Sequence, residues 1–326
     1  MMKRYILMLT VILRNAGASA QSIPVHDPVM IRQDSVWYVF CTGMGVSVWS
    51  SLNKKDWKKE PPVFGKAPSW AVETIPGFRG HIWAPDISYY NGLYYLYYAV
   101  SAFGKNTSCI GLAVNKTLRS DSKDYHWEDL GKVIQSVPGR DMWNAIDPNL
   151  AVDEKGGAWL SFGSFWNGIK LVRLRDDRRA LAEPETWYTL AARPRSAAIP
   201  DSAAGDAAIE APFIFRKDKY YYLFVSFDYC CRGEKSTYRI MVGRSEQIQG
   251  PYLDKDGTSM TLGGGSVVLE GDKNWHGVGH NAVVAAGDGD WLVFHGYDAA
   301  DGGKSKLRME KLQWVDGWPR PLIRGY

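Results

Sequence analysis

The chain has 326 residues, 45% of them hydrophobic, which is enough to bury a large core, and 39 Lys and Arg against 35 Asp and Glu. Past the leader, no run approaches the roughly eighteen apolar residues of a membrane helix, so a soluble mature chain is expected. The net charge of +4 falls to +1 (36 against 35) once Lys3, Arg4 and Arg14 of that leader are set aside, and nothing then favours nucleic acid or an anionic membrane as partner.

Residues 1–20 read as a secretory signal. Lys3 and Arg4 form the basic segment, Tyr5 to Leu13 the short apolar one, and Ala18-Ser19-Ala20 the small-residue cleavage site. Export, secreted or periplasmic, is expected, with cleavage near Ala20. The four cysteines are too few for a disulfide scaffold, and their spacing fits no zinc pattern. Adjacent Cys230 and Cys231 are compatible either with a vicinal bridge or with two thiols.

From residue 22 onward helical periodicity is nearly absent. Short Tyr-, Trp-, Val-, Ile- and Phe-rich runs alternate with Gly and Asp turns, as in antiparallel sheet. Asn91-Gly92 between two aromatic runs is a type I′ hairpin signal. One turn recurs five times, as His26-Asp27-Pro28, Trp83-Ala84-Pro85-Asp86, Ile146-Asp147-Pro148-Asn149, Glu210-Ala211-Pro212-Phe213 and His280-Asn281-Ala282. Each copy precedes an aromatic strand such as Trp37-Tyr38-Val39-Phe40 or Trp291-Leu292-Val293-Phe294. With markers at 28, 85, 148, 212 and 282 the intervals are 57, 63, 64 and 70 residues. Each interval holds about four strands, the content of one propeller blade. The reading is an all-β, five-bladed β-propeller over residues 21–326, with no room for a second domain. A β-sandwich does not explain five copies of one turn.

Innermost strands of a propeller begin around one rim, so residues at one point of the repeat meet there. Asp27, Asp147, Glu210 and His280 all fall at or beside that point. Converging carboxylates are the machinery of glycoside hydrolysis, one protonated to serve the leaving oxygen and one ionised to activate water. A lone Asp-Pro is more simply a turn with its own capping bonds; three in register on one repeat are not.

The ordered set of motifs carries a resemblance. His26-Asp27-Pro28, His81-Ile82-Trp83-Ala84-Pro85-Asp86, Trp143-Asn144-Ala145-Ile146-Asp147-Pro148, Ser161-Phe162-Gly163-Ser164-Phe165-Trp166, Ile209-Glu210-Ala211-Pro212, Asp228-Tyr229-Cys230-Cys231 and Gly279-His280-Asn281 resemble glycoside hydrolase family 43, and within it the endo-acting α-1,5-L-arabinanases. The resemblance implies inversion, with Asp27 as general base, Glu210 as general acid, and Asp147 orienting the acid and keeping its pKa high. It also implies a calcium ion on the propeller axis held by His280, with His276 and His295 as alternates should the alignment slip. Trp83, Phe103 and Trp166 are the expected sugar-stacking faces, and Asn144 and Ser164 the hydrogen-bond donors. The expected partner of this monomer is plant cell-wall arabinan or its oligosaccharides. An exo-acting arabinofuranosidase or β-xylosidase, or a non-catalytic glycan-binding propeller, are the rival readings; a retaining fructan hydrolase would need an Arg-Asp-Pro turn that does not occur.

Overall fold

The computed structural model describes residues 21–323, so the leader at 1–20 lies outside the described residues. Five antiparallel sheets follow one another along the chain. Their first strands are Val29–Gln33, His81–Tyr90, Asn149–Val152, Ile209–Lys217 and Trp275–Ala286. Each touches the first strand of the next sheet, and the fifth touches the first, so the ring closes. The expected aromatic strands are the second strand of each blade. Four blades have four strands. Blade two gains a fifth, because Gly43–Met44 leaves blade one to pair with His81 and Ile82. The type I′ hairpin is present, with Asn91 and Gly92 both at positive φ between Tyr90 and Leu93.

Strand alternation accounts for the packing. In Leu93–Val100, Tyr94, Leu96, Tyr98 and Val100 face the core shared with blade one, while Tyr95 and Tyr97 face blade three. Tyr220–Phe227 repeats this, sending Tyr221, Leu223, Val225 and Phe227 one way and Tyr222 and Phe224 the other. Both faces are buried, so these strands read as continuous apolar runs. The five apolar cores lie between neighbouring blades, one per interface. The last interface is sealed by the start of the described chain. Pro24 bridges Lys306 of blade five, the Leu307 N–H donates to the Ile23 carbonyl at 3.1 Å, and Ile23 is 1% exposed.

The repeated turn has one backbone signature. Asp27, Ala84, Asp147, Ala211 and His280 have φ of 52°, 43°, 58°, 56° and 48°, a region that non-glycine residues seldom enter. In blades two, four and five the strand bulges there, with register breaks between Trp83 and Asp86, Glu210 and Phe213, and Gly279 and Ala282. This shows that Asn281, not Ala282, takes the proline position in the fifth copy. The site residue of that copy is unaffected, because His280 is its left-handed residue.

Candidate active site

A left-handed turn points its backbone N–H away from the sheet ladder, and in four of the five copies a side chain of the adjoining blade meets it. Thr42 Oγ1 accepts from Ala84 N–H at 2.8 Å, Ser226 Oγ from His280 N–H at 2.8 Å, and His295 Nδ1 from Asp27 N–H at 3.1 Å. Ser226 and His295 pair with the residue before the turn in their own blades, and Thr42 binds the His26 carbonyl there. Gly163 occupies that place in blade three and has no side chain, so Asp147 itself accepts from Ala211 N–H, at 3.1 Å through Oδ2. Four of the five turns are therefore stitched to the neighbouring blade, and the stitches fix residues that line the channel mouth.

That mouth is a cavity of about 760 Å³ walled by Asp27, Asp147, Glu210 and His280 together. Asp27 Oδ1 lies 2.8 Å from His26 Nδ1 and 3.1 Å from His280 Nδ1, and Oδ2 accepts from Thr42 Oγ1 at 2.6 Å. Burial opposes ionisation of Asp27, but the charges and hydrogen bonds of His26 and His280 override it and hold the carboxyl well below the usual range. His295 stacks on His26 with ring centroids 4.0 Å apart. Burial, then the neighbouring His26, keeps His295 neutral, and because its Nδ1 accepts a bond its proton sits on Nε2.

Asp147 and Glu210 behave oppositely. Burial is the main cause in both, and each is raised, Asp147 to about 8 with the Glu210 charge adding to the effect. The two carboxyls titrate as a pair, so the raised values belong to both together. Glu210 Oε2 accepts from Ser164 Oγ at 2.5 Å, and Oε1 accepts from the Tyr238 hydroxyl. His280 is pulled down by burial and pushed up more strongly by Asp27, Asp147 and Glu210, ending at about 9. It is cationic at neutral pH and sits among all three acids.

Of the other expected contacts, Trp83 lines the cavity and donates Nε1–H to His81 Nδ1 at 3.0 Å, and Phe103 stands 78% exposed at the rim. Trp166 also lines the cavity but is 1% exposed, its indole N–H bound to the Asp201 carbonyl. Asn144 commits its carbonyl oxygen to Ser108 Oγ at 2.6 Å, which leaves its amide to donate. The Ser164 hydroxyl is placed on Glu210. His276 lies in a separate cavity with Asp228 and Glu270. Sequence reasoning missed Thr42, Tyr238 and Tyr297, and gave His26 and His295 no role beside Asp27; all but His26 lie on second strands or next to a second or third one, away from every repeated turn. Cys230 and Cys231 are bridged, and Cys41 and Cys109 are free and buried.

Comparison with known proteins agrees with this arrangement. The chain is 51% identical to an extracellular exo-α-(1→5)-L-arabinofuranosidase of Cellvibrio japonicus, covering 96% of this chain and 90% of that protein. It is 44% identical to extracellular endo-α-(1→5)-L-arabinanase 1 of Bacillus subtilis, covering 93% and 88%. The solved structure of Cellvibrio cellulosa α-L-arabinanase complexed with arabinohexaose superposes with a TM-score of 0.91 at 52% identity, over 92% of this chain and 96% of that one. Residues 22–319 match the glycosyl hydrolases family 43 pattern. A five-bladed ring with three acids and a histidine at its mouth, matched over nearly its whole length, places the chain in glycosyl hydrolase family 43.

Proposed function

We propose that the protein is an exported monomer that hydrolyses α-1,5-linked L-arabinan with inversion at the anomeric carbon. The observation that carries this is the division of the three acids: Asp27 is held ionised while the Asp147–Glu210 pair retains a proton. Asp27 accepts the proton of a water that attacks the anomeric carbon. Glu210, fixed in plane by Ser164 and Tyr238, gives its proton to the departing glycosidic oxygen. Asp147 supplies the negative neighbour that makes Glu210 reluctant to lose that proton early. The printed names of the relatives support arabinan as substrate and an extracellular location. No helix among the described residues is long and apolar enough to cross a membrane.

The mode of attack has two readings. The motif set favours endo-action. The identities favour exo-action, since an exo-1,5-α-L-arabinanase from a bovine ruminal library matches at 48% while the endo-arabinanase of Bacillus licheniformis matches at 44%. Digestion of linear arabinan distinguishes them. Early products of mixed length show endo-action, and one short product throughout shows exo-action. Release of the β-anomer first is expected from an inverting site; release of the α-anomer, or no release from linear or branched arabinan, refutes the proposal.

The axial calcium ion belongs to the same proposal. Among the described residues the clusters that offer three ligands are His26 with Cys230 and Cys231, and His26 with Asp27 and His295; His280 is in neither. Its Nδ1 is committed to Asp27, so Nε2 alone is free for a cation, and that is where the proton of cationic His280 resides. The residues fit an ion held by His280 Nε2 and otherwise by water, the carboxylates supplying negative charge around it. When bound, it supplies the positive charge that the proton supplies otherwise. Metal analysis is expected to find one equivalent of calcium in the wild type and none in His280→Ala, with EDTA lowering the Tm of the wild type alone. Equal metal content in both proteins excludes His280 as the ligand.

A further inference from the structure

The bridge between Cys230 and Cys231 joins adjacent residues, so it closes almost no chain. A disulfide stabilises a fold by restricting the unfolded chain, and the effect grows with the loop it closes. This one has little leverage on global stability, and its consequences must be local. Both cysteines line the cavity that holds Asp27, Asp147 and Glu210. Cys231 is exposed to it, and its Sγ lies 3.8 Å from His26 Nε2.

The same residue heads a hydrogen-bond chain that ends on Asp27. The Cys231 N–H donates to Tyr297 Oη at 2.7 Å, and that hydroxyl lies 2.8 Å from His26 Nε2. His26 Nδ1 is 2.8 Å from Asp27 Oδ1. His26 donates from Nδ1 to the carboxylate, and its Nε2 joins the Tyr297 hydroxyl as donor or acceptor according to where the ring carries its protons. Cys231 holds φ of 68°, a backbone state that an unconstrained cysteine seldom keeps, and Asp228, three residues earlier, holds 67°.

We propose that the Cys230–Cys231 disulfide is a working part of the sugar-binding cavity. Its sulfurs form the wall beside His26 against which the carbon face of a pentose packs, and its closed ring holds the Cys231 N–H at the head of the relay to Asp27. Sulfur is soft and polarizable, suited to contact with C–H groups, and an exposed bridge is open to thiol exchange. The protein is therefore thiol-sensitive at the site and not in its fold. This rests on the arabinan-hydrolase reading above. Cys230 and Cys231 are contact residues; Tyr297 and His26 are positioning residues.

Treatment of the folded protein with a phosphine tests it. The S–S bond breaks, each sulfur takes a proton, and the phosphine becomes its oxide with the oxygen and both protons drawn from one water. Mass spectrometry confirms the gain of two hydrogens. On arabino-oligosaccharide, kcat/KM is expected to fall roughly tenfold on reduction, mostly through KM, because the wall is present in ground and transition states alike. Thermal unfolding stays nearly unchanged. The Cys230→Ala/Cys231→Ala double variant matches the reduced wild type and does not respond to phosphine. Tyr297→Phe, which cuts the relay and leaves the wall, lowers kcat with little change in KM. Unchanged constants after reduction, or an equal loss in the phosphine-treated double variant, overturn the inference. Oxidised wild type that is inactive on every arabinan instead overturns the proposed function, and this inference falls with it.

Discussion

Asp27→Asn and Glu210→Gln are each expected to lower kcat on linear arabinan by roughly 10²–10⁴-fold, the range a positioned acid or base supplies. Isosteric amides are the right probes. Asp27 sits at φ 52°, and asparagine is among the few residues that tolerate that region, whereas alanine there mixes backbone strain with lost chemistry. The amide placed at position 27 retains an oxygen for the Thr42 hydroxyl, and the amide at position 210 retains one for Ser164 or Tyr238. Both proteins should keep near wild-type Tm. The two losses separate with an aryl arabinofuranoside, whose leaving group departs without a proton. Glu210→Gln recovers much of its rate on that substrate, and Asp27→Asn does not. If Asp27→Asn turns over arabinan at the wild-type rate, the general base is another group.

Asp147→Asn moves the alkaline limb of the kcat/KM profile to lower pH. Loss of activity on that side follows loss of the proton held by the Asp147–Glu210 pair, which burial of both carboxyls, and for Asp147 the Glu210 charge as well, push above the ordinary carboxyl range. Replacing the Asp147 charge with an amide removes the repulsion, so Glu210 deprotonates more readily and the limb descends. A fall of about one pH unit is tenfold in rate at any pH above the limb. The acid limb follows Asp27, held well below the usual range by His26 and His280 despite its burial, and it should move far less. The amide oxygen introduced at position 147 can still accept from Ala211 N–H, so the blade-to-blade stitch survives. A profile superimposable on the wild type at both limbs removes Asp147 from control of the acid.

The fold was legible because one turn is written five times and each copy precedes a strand with both faces apolar. The acids were legible for the same reason, since a repeat converts sequence position into position around a ring. The fifth copy was read one residue late, because Asn281 stands where the other copies have proline and only the backbone shows the equivalence. What surrounds the acids was less legible. Thr42, Ser226 and His295 act across a blade boundary on residues 42, 54 and 268 positions away, and no local pattern marks them. Tyr238 is one tyrosine among 18, and nothing in its neighbours announces the bond to Glu210. The bridge between Cys230 and Cys231 was one of two open readings until the loop's geometry resolved it.

Pro24, where the strand that seals the ring meets blade five, lies three residues before Asp27. The proposed water-activating group thus hangs from the clasp of the whole propeller. Asp27 also takes its backbone acceptor, His295, and its relay partner, Tyr297, from the far side of that seam. Opening the seam, by a bulky fusion just ahead of residue 21 or by trimming the residues that pair with blade five, is expected to displace Asp27 while the other four interfaces stay packed. Turnover is therefore a seal test: it fails at the first parting of the ring, before the sheets themselves register any loss.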